Sequence, residues 1–384
     1  MYLDHAATTP LRPQAREAWL DAVGVIGNPS SVHASGQAAR RVLEDARERL
    51  AQAVECDPIE IVFTSGGTES VNLGITGLWR AAGRDSAIVV PDGEHHATVD
   101  TVQWLAAHEG ARVRPVRLGA DGRIDLDDWS AATQPPAVAT LLAANNEIGT
   151  VQPLSAALAA AADVPVHVDA VGAFGHIPLS FRELRADAGG GTGLVAMSIS
   201  AHKVGGPTGI GALVVARDAR IEPLLHGGGQ QRGLRSGTQD AAGAAAFAAA
   251  AEAAVSELEA EARRLGDLRD RLVRGILAAV PGAVLLGHPE ERLPGNAHVH
   301  FPGASGEMLL FLLDVAGVSV STGSACQAGV AEPSHVVLAI GRSETEARQV
   351  LRLTLGHTTA PGDVDAVLSV LPGAVERARA AGAH

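Results

Sequence analysis

Apolar positions in this chain follow two different periods. In "QAARRVLEDARERLAQAV" (37–54) they recur every three to four residues, which predicts an amphipathic helix. Short apolar runs predict strands at "SAIVV" (86–90), "VATLLAA" (138–144), "VPVHVDA" (164–170), "VAMSIS" (195–200) and "GIGALVVA" (209–216). "IVFTSGGTESVNLGI" (61–75) reads as a strand, a glycine turn and a helix start, and "DPIE" (57–60) as a capping box with proline at the first helical position. Alternation of the two patterns from about 15 to 255 predicts a mostly parallel α/β sheet. "SELEAEARRLGDLRDRLVRGILAAV" (256–280) predicts a long charged helix that bridges to a second unit. There the pattern gives strands at "AHVHF" (297–301), "VSVST" (318–322) and "QVLRLTLG" (349–356), a helix at "EMLLFLLDVAG" (307–317) and a terminal helix. "AGGGTG" (188–193) reads as a surface loop, and no internal repeat is visible.

Length sharpens this picture. At 384 residues the chain exceeds the roughly 250–300 at which a single core stops growing, so two domains are expected. The divisions are 15–255 for a large α/β domain and 256–384 for a small α+β domain, with the arm 1–14 packing on the latter. A charged fraction of 19% and a hydrophobic fraction of 46% fit an ordinary globular protein. The net charge of −13 disfavours a dedicated nucleic-acid binder, which needs a basic footprint. The alanine-rich run 241–255 contains Glu252 and is too short by itself to span a bilayer, so it reads as a tightly packed helix. The N-terminus has no apolar core of the signal-peptide kind, and two cysteines make no disulfide framework. The expected location is the cytoplasm.

Candidate chemistry starts from one residue. Of 30 basic side chains, only Lys203 is lysine. Arginine stays charged at any accessible pH, whereas a lysine amine can lose its proton and attack a carbonyl, so a lone lysine in an arginine-rich chain suggests amine chemistry. Around it, "SISAHK" (198–203) leaves a strand end with Ser200 and His202 able to donate to an anion. "TSGGTES" (64–70) puts Gly67 and Thr68 at a helix start, which favours a phosphate but equally describes a plain turn. Asp169 ends the apolar strand of "VHVDA", where it can hold a pyridinium N–H or simply cap the next helix. Cys326 in "STGSACQAG" sits among small residues, a setting that suits a nucleophile better than a core cysteine such as Cys56. No metal site is read.

Together "YLDHAATTP", "GNPSSVH", "FTSGGTES", "EHHATVD", "NNEIGTVQP", "HVDA", "SAHKVGGPTGIGAL", "HGGGQQRGLRSGT", "STGSAC", "EPSHVVLAIG" and "LRLTLG" run nearly end to end. In order and spacing the chain resembles the NifS/IscS-like cysteine desulfurases of the class V aminotransferase family. The resemblance implies fold type I of the pyridoxal-phosphate-dependent transferases, with a large, mostly parallel seven-stranded sheet. It implies pyridoxal 5'-phosphate as cofactor, L-cysteine as substrate, and a persulfide on Cys326 passed to a sulfur-acceptor protein, a scaffold or thiotransferase. Such acceptors serve iron–sulfur assembly or thio-modification of tRNA or DNA, so contact with nucleic acid is expected to be indirect at most. No membrane association is expected.

By the same resemblance, Lys203 would carry the cofactor and Asp169 would pair with its ring nitrogen. His95 would stack on the ring and Asn146 would bond its phenolic oxygen. Gly67, Thr68, Ser200 and His202 would form the phosphate cup. Thr238 would reach the phosphate of a neighbouring subunit, implying a homodimer. Arg352 would hold the substrate carboxylate, with help from Asn28. Two departures stand out: Gly172 where the family usually has glutamine, and His5 where it commonly has asparagine. Rival readings are a selenocysteine lyase, another class V enzyme, or a non-catalytic scaffold paralogue.

Overall fold

A computed structural model describes residues 1–185, 188–323 and 332–382. Seven strands form the larger sheet: β1 (Ile61–Thr64), β2 (Ala87–Pro91), β3 (Arg112–Val116), β4 (Ala137–Leu142), β5 (Pro165–Asp169), β6 (Gly193–Ser200) and β7 (Gly211–Val215). Their order is β1-β7-β6-β5-β4-β2-β3. The pairs from β6 through to β3 are parallel, and β7 runs antiparallel to β1 and β6. Three further strands, β8 (Val284–Leu285), β9 (Asn296–His300) and β10 (Val350–Thr354), make a small antiparallel sheet.

The central strands are apolar at nearly every position because both faces are covered. Val195, Leu213 and Val215 pack with Trp79 and Val71 of the helix Gly67–Ala82 on one face. The alternate residues Met197, Ile199 and Val214 join the core on the other face, with Leu43 and Leu50 of the helix Ala34–Val54. β3 departs from this pattern. Its "RVRPV" is largely exposed and carries a proline, which an edge strand tolerates. The apolar-run criterion passes over it for that reason.

The runs 241–255 and 256–280 form a single helix, Ala241–Ala279. Its first half packs Ala244, Phe247 and Ala251 into the large core, and its second half packs Leu268, Leu272 and Ile276 against the small sheet. By length and composition it could cross a membrane, but 61% of its most apolar window is buried inside the fold. The capping reading at 57–60 holds in a short 3-10 turn, where Asp57 N–H donates to the Glu60 carboxylate at 2.9 Å. The expected strand 318–322 is instead two isolated bridges, Ser319 to Tyr2 and Ser321 to Arg352. The chain's own N-terminus takes the place of a neighbouring strand there. Leu3 is fully buried in the small core, and Asp4 bridges Thr354 of β10.

Candidate active site

Two parallel strands deliver the central groups. β5 ends at Asp169, which is 2% exposed and accepts a hydrogen bond from Val171 N–H at 2.9 Å. Burial raises the Asp169 pKa to about 6, against the lowering pull of the Val171 N–H and of Lys203. β6 ends at Ser200 and turns through a short 3-10 segment, Ala201–Lys203. Lys203 projects into a cavity of about 470 Å³ and donates to the carbonyls of Ala6 and of Ala7, the latter at 2.9 Å. Burial and then the Arg352 guanidinium lower its pKa to about 8, while Asp4 and Asp169 hold it up. A substantial fraction of the amine is therefore neutral just above neutral pH, as a nucleophile or base requires.

The helix Gly67–Ala82 points its N-terminus at the same cavity. A Cβ at Gly67 would lie 2.8 Å from the Val171 side chain and 3.5 Å from Ser200 Cβ, so only glycine lets the helix start approach this closely. Ser200 Oγ is buried and has no hydrogen-bond partner among the described residues. His202 uses Nδ1 on Thr8 Oγ1 at 3.2 Å and is kept neutral by burial and by Lys203, its pKa lowered to about 4. His95 caps the helix His96–Glu109: its Nδ1 accepts from Ala97 N–H at 3.0 Å, which leaves the ring proton on Nε2. The ring is exposed along the cavity, and desolvation by the surrounding protein, with Lys203 next, lowers its pKa to about 4.

The opposite wall comes from β10 and the N-terminal arm. Arg352 is 5% exposed. Its guanidinium donates to Asp4 Oδ1 at 2.8 Å and to the Asn146 carbonyl at 3.1 Å, and its buried Nε has no partner among the described residues. The arm then crosses to the large sheet, where Thr9 N–H donates to the His202 carbonyl at 2.9 Å.

The structure brings Gly67, Thr68, His95, Asn146, Asp169, His202, Lys203 and Arg352 together around one cavity, with Ser200 just behind Gly67. Asn28 and Thr238 are not brought there. Both are exposed, and the Asn28 side chain accepts from Ser30 N–H in its own turn. Cys326 lies outside the described residues. The chain reaches position 323 along the cavity wall, which Ser321 and Gly323 line. Cys56 is buried, and burial pushes its thiol pKa up, so it is no nucleophile. Gly172 also lines the cavity. A Cβ there would make only ordinary contacts, 3.6 Å to the Ala144 carbonyl and 3.9 Å to Asn146 Cβ, so the glycine leaves room beside Asn146 rather than meeting a backbone requirement. His5 is buried, edge-on to the Tyr2 ring at 5.1 Å, with burial lowering its pKa to about 4. The sequence reading missed Asp4 and the carbonyls of Ala6 and Ala7. Their position against Lys203 and Arg352 depends on contacts across about half the chain or more, and no local pattern advertises it.

This donor set fits pyridoxal phosphate. A glycine-bounded helix N-terminus and the orphaned Ser200 hydroxyl suit the phosphate, and a buried carboxylate suits the ring nitrogen. The one lysine of the chain lies within the same cavity.

The chain belongs to the aminotransferase class-V family, whose model matches residues 1–367. Its relatives in that family include cysteine desulfurases. It is 49% identical to the IscS-like cysteine desulfurase of Mycobacterium tuberculosis, over 99% of this chain and 97% of the relative. It is 38% identical to the cysteine desulfurase IscS of Dictyoglomus turgidum, over 99% and 95%. Among solved structures, a NifS-like protein superposes with a TM-score of 0.89 at 32% identity, covering 98% of this chain and 99% of that one.

Proposed function

We propose that this protein is a pyridoxal-phosphate-dependent cysteine desulfurase that takes sulfur from L-cysteine and releases L-alanine. The observation that carries the reading is the lone lysine, half-buried and softened to a pKa of about 8 in a cavity shared with Asp169, His95 and Arg352. Family membership over the whole sheet and most of the small domain supports it.

When bound, pyridoxal phosphate supplies an electron sink for bond breaking at the substrate's Cα and Cβ. Gly67, Thr68, Ser200 and His202 would hold the phosphate, and Asp169 would pair with the ring nitrogen. His95, locked by its cap, and Asn146 would complete the cofactor's surroundings. Lys203 Nζ would hold the cofactor and serve as the base for the substrate Cα proton. Arg352 would receive the substrate carboxylate through its guanidinium N–H groups. The Cys326 thiolate attacks the substrate sulfur. The S–Cβ bond breaks, its electron pair stays with the alanine fragment, and the sulfur remains on Cys326 as a persulfide.

The reading extends to a homodimer. Thr238 is exposed and away from its own cavity, so a second copy is the natural recipient of its hydroxyl. Exposed apolar residues, among them Leu20, Val23, Ile26 and Val32, suit such burial. The sulfur acceptor is a scaffold or thiotransferase protein, and the compartment the cytoplasm. The test is to incubate the protein with L-cysteine and measure alanine and Cys326 persulfide. Wild type should give both. Cys326→Ala should keep the cofactor's visible absorbance and form no persulfide. A wild-type protein that reconstitutes with cofactor yet gives no alanine would end the proposal.

A further inference from the structure

The N-terminal arm ties Arg352 to Lys203. Within four residues it contributes the Asp4 carboxylate to Arg352 at 2.8 Å, and the carbonyls of Ala6 and Ala7 to the Lys203 amine. Each contact is held from both sides. Asp4 bridges Thr354, the next inward-facing residue of β10 after Arg352, and Ala6 N–H donates to Thr354 Oγ1 at 2.9 Å. Beyond Ala7, Thr8 and Thr9 bond His202, and Arg12 reaches the Val204 carbonyl at 3.1 Å and Glu257 at 2.6 Å. The arm is thus fastened to β10 at one end and to the lysine turn at the other, and the two reacting sides of the cavity share one short piece of backbone.

We propose that Asp4 is a positioning residue of the active site: it holds the Arg352 fork for the substrate carboxylate and, through the arm, sets the charge balance at Lys203. The inference rests on Arg352 being the carboxylate-binding residue. Asp4 and the Asn146 carbonyl orient the guanidinium plane where Arg352 lines the cavity. Asp4 also cancels much of the Arg352 charge near the lysine. The groups facing Lys203 are Asp169 from β5, Arg352 from β10, Asp4 from the arm, and the neutral rings of His95, His202 and His176. Two carboxylates therefore balance one guanidinium around the amine. Removing Asp4 leaves Arg352 less compensated, which favours the neutral amine and moves its titration to lower pH.

The single lysine makes this measurable without turnover. In the full chain stripped of cofactor, trace acetylation across pH followed by peptide mapping reports on Lys203, the one lysine of this sequence. Asp4→Asn and Asp4→Ala are compared with wild type. Both should move the Lys203 midpoint below that of wild type and regain the visible band when cofactor is added back. Asp4→Asn keeps an acceptor oxygen, so its KM for L-cysteine should stay within about twofold of wild type. Asp4→Ala loses a hydrogen bond to a charged partner, and its KM should rise roughly tenfold or more with kcat changed less. Unmoved midpoints in both variants would overturn the link to Lys203, and an unmoved KM in Asp4→Ala would overturn the positioning role. Arg352→Ala with an unmoved KM would instead fault the carboxylate assignment itself.

Discussion

The Asp169–Lys203 wall and the Arg352–Asp4 wall line one cavity, but they draw on different physics. The first is made of neighbouring parallel strands, buried on both faces, whose ends release their side chains side by side. Its rigidity comes from the sheet: His167, fully buried in β5, bridges Thr140 Oγ1 of β4 at 2.9 Å and Ser198 Oγ of β6 at 2.7 Å. The second wall joins residues 348 positions apart in an ion pair, on an arm only a few residues long. The proposed reaction, which would hold a cofactor permanently and a substrate briefly, would be served by such a division, with the cofactor on the stiff wall and the substrate carboxylate on the assembled one.

Substitutions on the two walls should therefore fail differently. The largest effect is expected from Arg352→Ala, which should raise the KM for L-cysteine roughly 10- to 100-fold and leave the visible absorbance in place. Steady-state kinetics beside a spectrum checks both halves, and loss of the spectrum together with binding would erase the distinction between the walls. Ser200→Ala should be milder and opposite in kind. It removes one neutral donor from the phosphate end, so cofactor affinity should fall about 2- to 10-fold while the cysteine KM of the reloaded enzyme stays put. Cofactor titration into the stripped protein measures it.

The same contrast explains what could be read from sequence. Asp169 and Lys203 were legible because each follows an apolar run that can only be a buried strand, and ligands gather at strand ends. Gly67 was legible because the turn before its helix needs close approach. β3 was not, since an exposed edge strand with alternating arginines has no apolar signature. The strand expected at 318–322 failed for a related reason: its apolar alternation is real, but its neighbours are the arm on one side and Arg352 on the other, and each pairs with it at a single bridge. The runs 241–255 and 256–280 join because alanine and leucine faces follow one another along one uninterrupted helix. Asp4 stayed hidden because a carboxylate near a chain terminus usually faces water, and only the fold shows that this one meets a buried guanidinium.

The central claim is that one amine, that of Lys203, carries the cofactor. Borohydride reduction of the protein loaded with pyridoxal phosphate, followed by proteolysis and mass mapping, tests it directly. If Lys203 carries the cofactor, a single stable adduct should appear on the peptide containing Lys203, and Lys203→Ala should show no visible band. An adduct confined to the Met1 amine, or a loaded protein whose Lys203 peptide is recovered unmodified, would contradict it.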